Sequence, residues 1–254
     1  TLIVRKVKGV KRPAIASLLP LQPPVLLADS GANVVVTPEY LEQFAIMGSA
    51  YMHSVMNVEN PRVGLLNNGE EEHKGTELQI ETYRLLSENP QINFVGNVEG
   101  NRVMRDACDV LVCDGFAGNI VLKNTEASGK TAAVLGKRIL ENIDPSLAEK
   151  LCAELTHAFD FNSRGGATFL GTKKTVVKMH GAANSSTAVS CIELVLHLSE
   201  SGFDTEKADD TKTSETDGEN GGEDKNSPLP IIIAAAAVTV CVALGIIFVI
   251  KKKK

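Results

Sequence analysis

Apolar and polar residues alternate along residues 1–199 in blocks typical of strands followed by helices. Short apolar runs that end in Gly, Asn or Asp predict strands at residues 25–29, 62–67, 92–95, 109–114 and 175–179. Apolar residues three and four apart predict helices that begin at residues 37, 76, 144 and 186, and another after residue 119. Strand, turn and helix in repetition predict a mostly parallel sheet with helices on both faces, an α/β/α sandwich.

The pattern changes sharply after this region. Residues 200–228 contain ten Asp or Glu and three Lys, so they are predicted to form an acidic, disordered linker. Residues 229–250 carry no charge, and as a helix they are long enough to cross a bilayer. The alternative for this run is a buried core helix. We therefore predict an α/β domain at 1–199, a linker at 200–228, a transmembrane helix at 229–250 and a lysine tail at 251–254.

Composition narrows the classes of function. The net charge is −5, and the domain without linker and tail is close to neutral, which argues against a nucleic-acid-binding protein. The five cysteines show no CxxC spacing and the five histidines no HxxxH pair, so neither a zinc ribbon nor a histidine-rich metal site is expected.

The turns after the predicted strands carry the candidate chemistry. Five of them combine Gly with Asp, Asn, Glu, Lys or His, at residues 29–33, 67–75, 96–100, 114–119 and 180–184. In parallel sheets such turns gather at the carboxyl ends of the strands. Glycine lets backbone come close to a ligand, and exposed N–H groups at helix starts favour phosphate or carboxylate. The sequence thus predicts a small-anion site at this edge.

Each turn also has a purely structural alternative. Asp114-Gly is a common turn pair, so residues 109–123 are also compatible with a hairpin. Glu70-Glu-Glu is compatible with a solvated helix entrance stabilised by the helix dipole. His180 at a strand end is equally an ordinary hydrogen-bonded histidine. The gathering of five turns, rather than any one of them, supports a binding site.

Several longer strings point to a family. RPAIASLLP, LLADSGAN, PRVGLLNNGEEEHKG, INFVGNVEG, CDVLVCDGFAGNIVLKNTE and VVKMHG occur in this order over residues 1–198. Together they resemble the bacterial phosphate acyltransferase family. The resemblance implies a Rossmann-like domain, a homodimer, and transfer of a fatty acyl group from acyl-acyl-carrier protein to inorganic phosphate. The acyl-phosphate product would then serve phospholipid synthesis.

The chain also departs from that family. The family begins with a strand and a glycine-rich Asp-Ala-Met-Gly-Gly-Asp segment that are missing here, so we expect an N-terminally truncated copy. The family's His-Gly-Ser-Ser is His180-Gly-Ala-Ala in this chain. We expect residues 200–254 to have no counterpart in the family.

The resemblance suggests direct attack of phosphate on the acyl thioester without a covalent enzyme intermediate. We expect Lys74 or Lys123 to offset the phosphate charge, and His180 to serve as oxyanion donor or as acid for the leaving thiol. Asn119 completes the catalytic candidates. No cofactor is expected, and no metal-ligand spacing is found, although a role for Mg²⁺ stays open.

The remaining candidates bind substrate or organise the site. The expected backbone N–H donors surround Gly69, Gly115 and Gly118. Orientation of the substrate is expected from Asn33 and Asn67, with Gly31 in the same turn as Asn33. The carboxylates expected to organise these groups, because unpaired they would repel phosphate, are Asp29, Glu70, Glu71 and Asp114.

A basic cluster near the start of the chain is the candidate surface for the acidic acyl-carrier protein. It comprises Arg5, Lys6, Lys8, Lys11 and Arg12. A solvated chain end and a contact with anionic lipid are its alternatives.

Membrane orientation leaves a second class of function open. The lysine tail favours a domain outside the cell, whereas acyl-carrier protein is cytosolic, so an active enzyme requires the domain on the cytoplasmic face. The alternative is a membrane-tethered remnant that binds acyl-carrier protein or phosphate without turnover. A third hypothesis is another enzyme of this broad fold, such as a phosphotransacetylase or a decarboxylating dehydrogenase.

Overall fold

A computed structural model of the chain describes residues 3–161, 165–179 and 183–203. The strands are β1 (Ala14–Leu18), β2 (Leu26–Ala28), β3 (Arg62–Asn67), β4 (Asn93–Glu99), β5 (Val110–Val112), β6 (Ala167–Leu170) and β7 (Val177–Lys178). The helices are α1 (Pro38–Met56), α2 (Glu77–Glu88), α3 (Gly115–Leu140), α4 (Pro145–Ala158) and α5 (Ser185–Glu200). These elements belong to a compact unit at residues 1–212, and a second unit covers residues 213–254.

All seven strands form one mixed sheet in the order β4-β3-β5-β2-β1-β6-β7. The first four are parallel, as the alternation of strands and helices predicts. The other three pairings are antiparallel, so the expected mostly parallel sheet is only half correct. Short connections account for the β1–β2 and β6–β7 pairings, because a parallel pair needs a crossover of a dozen or more residues.

Helices cover both faces of the sheet, as the sandwich prediction requires. Leu26, Val110 and Val112 face one way and pack into the core that includes α1. Leu27 and Leu111 face the other way, where side chains of α3 pack against them. Because both of their faces are buried, the central strands β2 and β5 are wholly apolar, as is typical of parallel sheets.

Local sequence accounts for most helix starts. Thr37 and Pro38 begin α1. Thr76 forms a reciprocal capping box with Gln79 at the start of α2. The Asp114 and Asp144 carboxylates accept backbone N–H groups at the starts of α3 and α4. The starts of α1, α2 and α4 lie within one residue of the prediction, whereas α3 begins at Gly115, before the predicted start after residue 119. The helical α3 rules out the hairpin alternative for residues 109–123.

Three predictions about elements need correction. Strands β1 and β6 were not predicted, because their runs are short and lack alternation. The expected turn at 96–100 is mostly strand, since β4 continues to Glu99. Residues 115–119 are the first turns of α3 rather than a loop.

The membrane prediction falls on residues outside this description. None of the helices within the described ranges is long and apolar enough to span a bilayer. The predicted span at 229–250, the lysine tail, and all but residues 200–203 of the predicted linker lie beyond those ranges.

Candidate active site

Three of the predicted turns leave the sheet side by side. Ala28 and Leu65 both lie opposite Val112 on neighbouring parallel strands. One or two residues further on, the three strands lead to Asp29, Asn67 and Asp114. These residues therefore lie together at the carboxyl ends of the parallel strands. This confirms the convergence expected from a parallel sheet.

Asp29 organises the 29–33 turn from within. Its carboxylate is fully buried. It accepts the backbone N–H groups of Ile15, Gly31, Ala32 and Asn33 at 2.7–3.2 Å, and the Asn33 side-chain amide at 2.7 Å. Charge-assisted bonds of this kind are stronger than neutral ones, so the turn is held rigidly. These bonds support the prediction that Asp29 organises the turn.

The 29–33 turn locks directly onto the start of α3. The Asn33 carbonyl accepts the Gly115 N–H at 2.7 Å. A Cβ on Gly118 would lie 1.9 Å from the Asp29 carbonyl oxygen, so only glycine permits this approach. Gly31 lies across from Asn119, whose Cβ would be 3.7 Å from a Cβ at position 31. We call this contact between residues 29–33 and 114–119 the clasp.

The backbone N–H groups that were expected to bind an oxyanion form hydrogen bonds within the clasp. Asp114 accepts the N–H groups of Phe116 and Ala117 at 2.8 Å, and the Asp114 carbonyl accepts that of Gly118. With Gly115 bonded to Asn33, the first turn of α3 offers no spare donor from these residues. Gly115 and Gly118 are therefore packing positions and not the oxyanion donors that the sequence suggested.

The 67–75 loop is built differently. The Asn67 side chain donates to the Lys74 carbonyl at 3.0 Å and accepts the Asn68 N–H at 2.8 Å, which closes the loop on itself. Gly75 has a φ of +90°, which a larger residue rarely adopts. In the described part of the chain, the Gly69 N–H meets no hydrogen-bond acceptor.

The two candidate lysines differ in their surroundings. Lys74 is half-buried with its stem against Gly69, where a Cβ would come within 2.6 Å of the Lys74 Cγ. Its ammonium forms no salt bridge with any described residue. Lys123 lies roughly 12 Å along α3 from Gly115 and forms an ion pair with Glu126 at 3.3 Å. The structure therefore favours Lys74 as the cation of the site.

The two glutamates of the loop support its shape. Glu70 forms an exposed ion pair with Arg102. The Glu71 carbonyl accepts the Asn97 side chain at 2.8 Å and the Lys74 N–H at 3.1 Å. A cavity of about 230 Å³ lies beside these residues and is lined by Glu70, Asn97 and Arg102 among others. Glu70 thus pairs with an arginine outside the loop and Glu71 acts through its backbone carbonyl, so the organising role of their carboxylates stays a prediction.

The turn predicted at residues 180–184 is described only in part. His180 lies outside the described residues, so its proposed role stays a prediction. Asn184, in the same predicted turn, caps α5 by accepting the Thr187 N–H at 2.9 Å. In the described part of the chain, no cluster of His, Cys, Asp or Glu side chains is arranged to hold a metal ion.

Cys113 lies beneath the clasp but is unsuited to nucleophilic attack. Burial raises the pKa of its thiol well above the usual value, and the nearby carboxylates of Asp114 and Asp29 raise it further. The thiol points at the Asp29 carbonyl oxygen, 3.5 Å away. A protonated, enclosed thiol is inert. Cys113 is therefore not a candidate nucleophile.

Exposed apolar side chains border the clasp, which the sequence analysis missed. Val34 and Val35 follow Asn33, and Phe116 and Ile120 stand on the first turns of α3; all four are at least half exposed. The bond between Asn33 and Gly115 brings these two segments together. Apolar patches next to polar sites mark places where apolar ligands bind. The apolar run Val34-Val-Val36 after a polar turn was the available signal.

Comparison with known proteins shows the family of the chain. A sequence model of the family described as "Fatty acid synthesis protein" matches residues 1–205. A phosphate acyltransferase of Dehalococcoides mccartyi is 39% identical over 239 residues, which cover 90% of this chain and 68% of that protein. One from Clostridium perfringens is 46% identical over 199 residues, covering 76% of this chain and 58% of that protein. The chain belongs to the phosphate acyltransferase family.

Similarity to solved structures is weaker. A phosphotransacetylase from Streptococcus pyogenes superimposes with a TM-score of 0.48 at 15% identity, over 82% of this chain and 57% of that one. A branched-chain phosphotransacylase from Enterococcus faecalis gives a TM-score of 0.43 at 15% identity, over 73% of this chain and 63% of that one. Among the relatives in sequence, this chain spans 68% of the length of the Dehalococcoides mccartyi protein and 58% of that of the Clostridium perfringens protein.

Proposed function

We propose that this chain transfers a fatty acyl group from acyl-acyl-carrier protein to inorganic phosphate and so supplies acyl-phosphate for phospholipid synthesis. The proposal rests on membership of the phosphate acyltransferase family. The observation that carries it is Lys74, half-buried in the 67–75 loop beside the clasp, whose ammonium forms no ion pair among the described residues.

The chemistry requires one bond to form and one to break. A phosphate oxygen attacks the thioester carbonyl carbon, and the carbon–sulfur bond breaks to release the carrier thiolate, which then takes up a proton. We assign the phosphate to Lys74 and the Gly69 N–H, and the lack of partners for both groups in the described part of the chain supports this assignment. Holding both reactants in place turns a bimolecular step into an oriented one.

The acyl chain needs an apolar surface beside the phosphate. Val34, Val35, Phe116 and Ile120 provide one next to the clasp. Each exposed methylene that they cover contributes about 0.8 kcal/mol. A polar loop with an unpaired cation on one side and exposed apolar side chains on the other suits an amphipathic substrate better than a small polar one.

The decisive experiment compares two lysine variants of the full chain. Acyl-phosphate formed from acyl-acyl-carrier protein and phosphate is trapped with hydroxylamine, for the wild type, Lys74→Met and Lys123→Met. We expect Lys74→Met to lower kcat/KM for phosphate by about 100-fold and Lys123→Met to change it less than about threefold.

Each other outcome has a clear meaning. Wild-type activity in Lys74→Met would contradict the assignment of the phosphate site. Phosphate binding by the wild type, lost in Lys74→Met and without any product, would support the alternative of a binding remnant.

We also propose that residues 229–250 anchor the chain in a membrane and that the domain forms a homodimer on the cytoplasmic face. The uncharged run of residues supports the anchor, and the need to meet acyl-carrier protein supports the orientation. Protease cleavage within residues 200–228 in intact cells would place the domain outside and contradict this orientation. Sedimentation of the full chain measures the oligomeric state.

A further inference from the structure

Seven exposed cations form one continuous basic surface. We use this name for the side chains Arg5, Lys6, Lys8, Lys11, Arg12, Lys173 and Lys174. The first five were recognised from the sequence, whereas the last two come from a segment about 160 residues away. Their meeting is a property of the fold.

Backbone contacts hold the two basic segments together. The Val7 N–H donates to the Gly171 carbonyl, and the Lys173 N–H donates to the Arg5 carbonyl, both at 3.1 Å. Lys6 and Thr172 form an antiparallel bridge. Val7 and Val10 are buried, which anchors the first segment. The first segment is thus a docked part of the domain, which argues against a solvated chain end.

The basic surface lies at the same edge of the sheet as the clasp. Strand β1 runs antiparallel to β2, so the residues before β1 lie where β2 ends. Strand β6 is antiparallel to β1, so the residues after β6 lie there as well. A hydrogen bond of 2.9 Å from the Asn33 side chain to the Pro13 carbonyl joins the basic segment to the clasp directly.

None of the seven cations forms a salt bridge within the described part of the chain, although the charge of Lys11 helps to lower the pKa of Glu39. The salt bridges of the described part use other residues, such as Arg62, Arg84 and Arg102. Within the basic surface, Lys6 donates to the Lys11 carbonyl at 3.0 Å, which involves no carboxylate. An unpaired basic patch on a nearly neutral domain attracts an acidic partner and speeds its arrival.

We propose that the basic surface docks the acidic acyl-carrier protein and thereby delivers its thioester to the clasp and the 67–75 loop. This deepens the proposed function and rests on it. Charge complementarity and the contact with Asn33 favour a carrier protein that delivers its cargo at the adjacent edge over an anionic lipid surface. Charges at the rim of an interface act mainly on the association rate and its salt dependence.

The test uses charge reversal in the full chain. Lys8→Glu with Lys173→Glu is compared with Arg105→Glu and Lys150→Glu, two exposed cations outside the basic surface that give the same change in net charge. Two quantities are measured: the ratio of kcat/KM for acyl-acyl-carrier protein to that for acyl-pantetheine, and binding of the unacylated carrier by fluorescence anisotropy.

We expect the reversal at Lys8 and Lys173 to lower both the ratio and the carrier affinity by about tenfold or more at low salt, and the loss to shrink as salt screens the surface. The control pair should change either quantity less than about twofold. Equal effects of the two pairs, or carrier binding indifferent to salt, would overturn the proposal.

Two further outcomes separate docking from turnover. Carrier binding that depends on Lys8 and Lys173, without acyl-phosphate from either donor, would leave docking intact and refute the proposed function. Binding of the wild type to vesicles of phosphatidylglycerol through these lysines, without carrier binding, would overturn docking in favour of a lipid surface.

Discussion

The clasp and the 67–75 loop have similar sequences, with glycine beside Asp, Asn and Glu, yet they hold their polar groups differently. In the clasp, the Asp29 carboxylate and the Asn33 carbonyl accept the local donors, including the N–H of Gly115. In the 67–75 loop, Asn67 closes the backbone, and the Lys74 ammonium and Gly69 N–H lack partners among the described residues.

This difference shows that a glycine-rich polar turn at a strand end has one of two uses. A turn whose donors are satisfied internally is a fixed support and binds little. A turn that closes through one side chain and leaves a cation and an N–H unpaired is able to bind an anion. The clasp and the 67–75 loop thus differ in function, because the rigid clasp keeps the neighbouring loop in place.

The largest expected effect is that of Gly118→Ala, within the clasp. The added Cβ would lie 1.9 Å from the Asp29 backbone oxygen, which cannot move without displacing β2. We expect a loss in the free energy of unfolding of about 3 kcal/mol or more, measured by urea denaturation. Gly100→Ala is the matched control, because no atom lies within 4 Å of its added Cβ. A stable Gly118→Ala would contradict the close packing of the clasp.

Asp29→Asn tests the same contact through its hydrogen bonds. The side chain keeps its shape, but an amide nitrogen replaces one of the two oxygens that accept five bonds. Buried donors are left without acceptors, so we expect a loss of about 3 kcal/mol in the free energy of unfolding. Unchanged stability, with activity lost, would instead mean that Asp29 acts on substrate.

Asp109 lies at the other end of the parallel strands, immediately before β5. Its buried carboxylate is paired with a cation, the Arg62 guanidinium, unlike that of Asp29. Burial raises its pKa, but hydrogen bonds and charge from Arg62 outweigh this, so the net pKa is lowered. Because its pKa is lowered, ionised Asp109 stabilises the fold at pH values above its ordinary pKa of about 3.9. This contribution to the free energy of unfolding is lost as the pH falls through the pKa of the folded state.

We therefore expect Asp109→Asn to cost about 1–2 kcal/mol at pH 7, and the difference from the wild type to shrink as pH falls below about 4. Thermal unfolding at several pH values measures it. A difference that stays constant with pH would show that the charge of Asp109 contributes nothing.

The smallest effect on stability is expected for Gly69→Ala in the 67–75 loop. The added Cβ meets the flexible Lys74 stem, at 2.6 Å, and not rigid backbone. The free energy of unfolding should change by less than about 1 kcal/mol, while the displaced ammonium should raise KM for phosphate about tenfold. Equal losses of stability in Gly69→Ala and Gly118→Ala would erase the distinction between loop and clasp.

Local features of the sequence were enough to predict much of the architecture. The strand at residues 62–67 and the helix starts at Pro38, Glu77 and Pro145 follow from apolar runs and from caps within a few residues. The gathering of the turns at one edge also followed, because parallel strands end together. These predictions succeeded because the interactions behind them span few residues.

Tertiary structure decided the rest. Whether β1 pairs antiparallel with β2, whether Gly115 donates to Asn33, and whether Lys173 joins Arg5 depend on partners that lie far apart in the chain. The choice between Lys74 and Lys123 depended likewise on which ammonium met a carboxylate. The sequence alone determined which groups are present at the edge, whereas folding determined which of them are already paired and which remain able to bind, because hydrogen bonds and ion pairs form between neighbours in space.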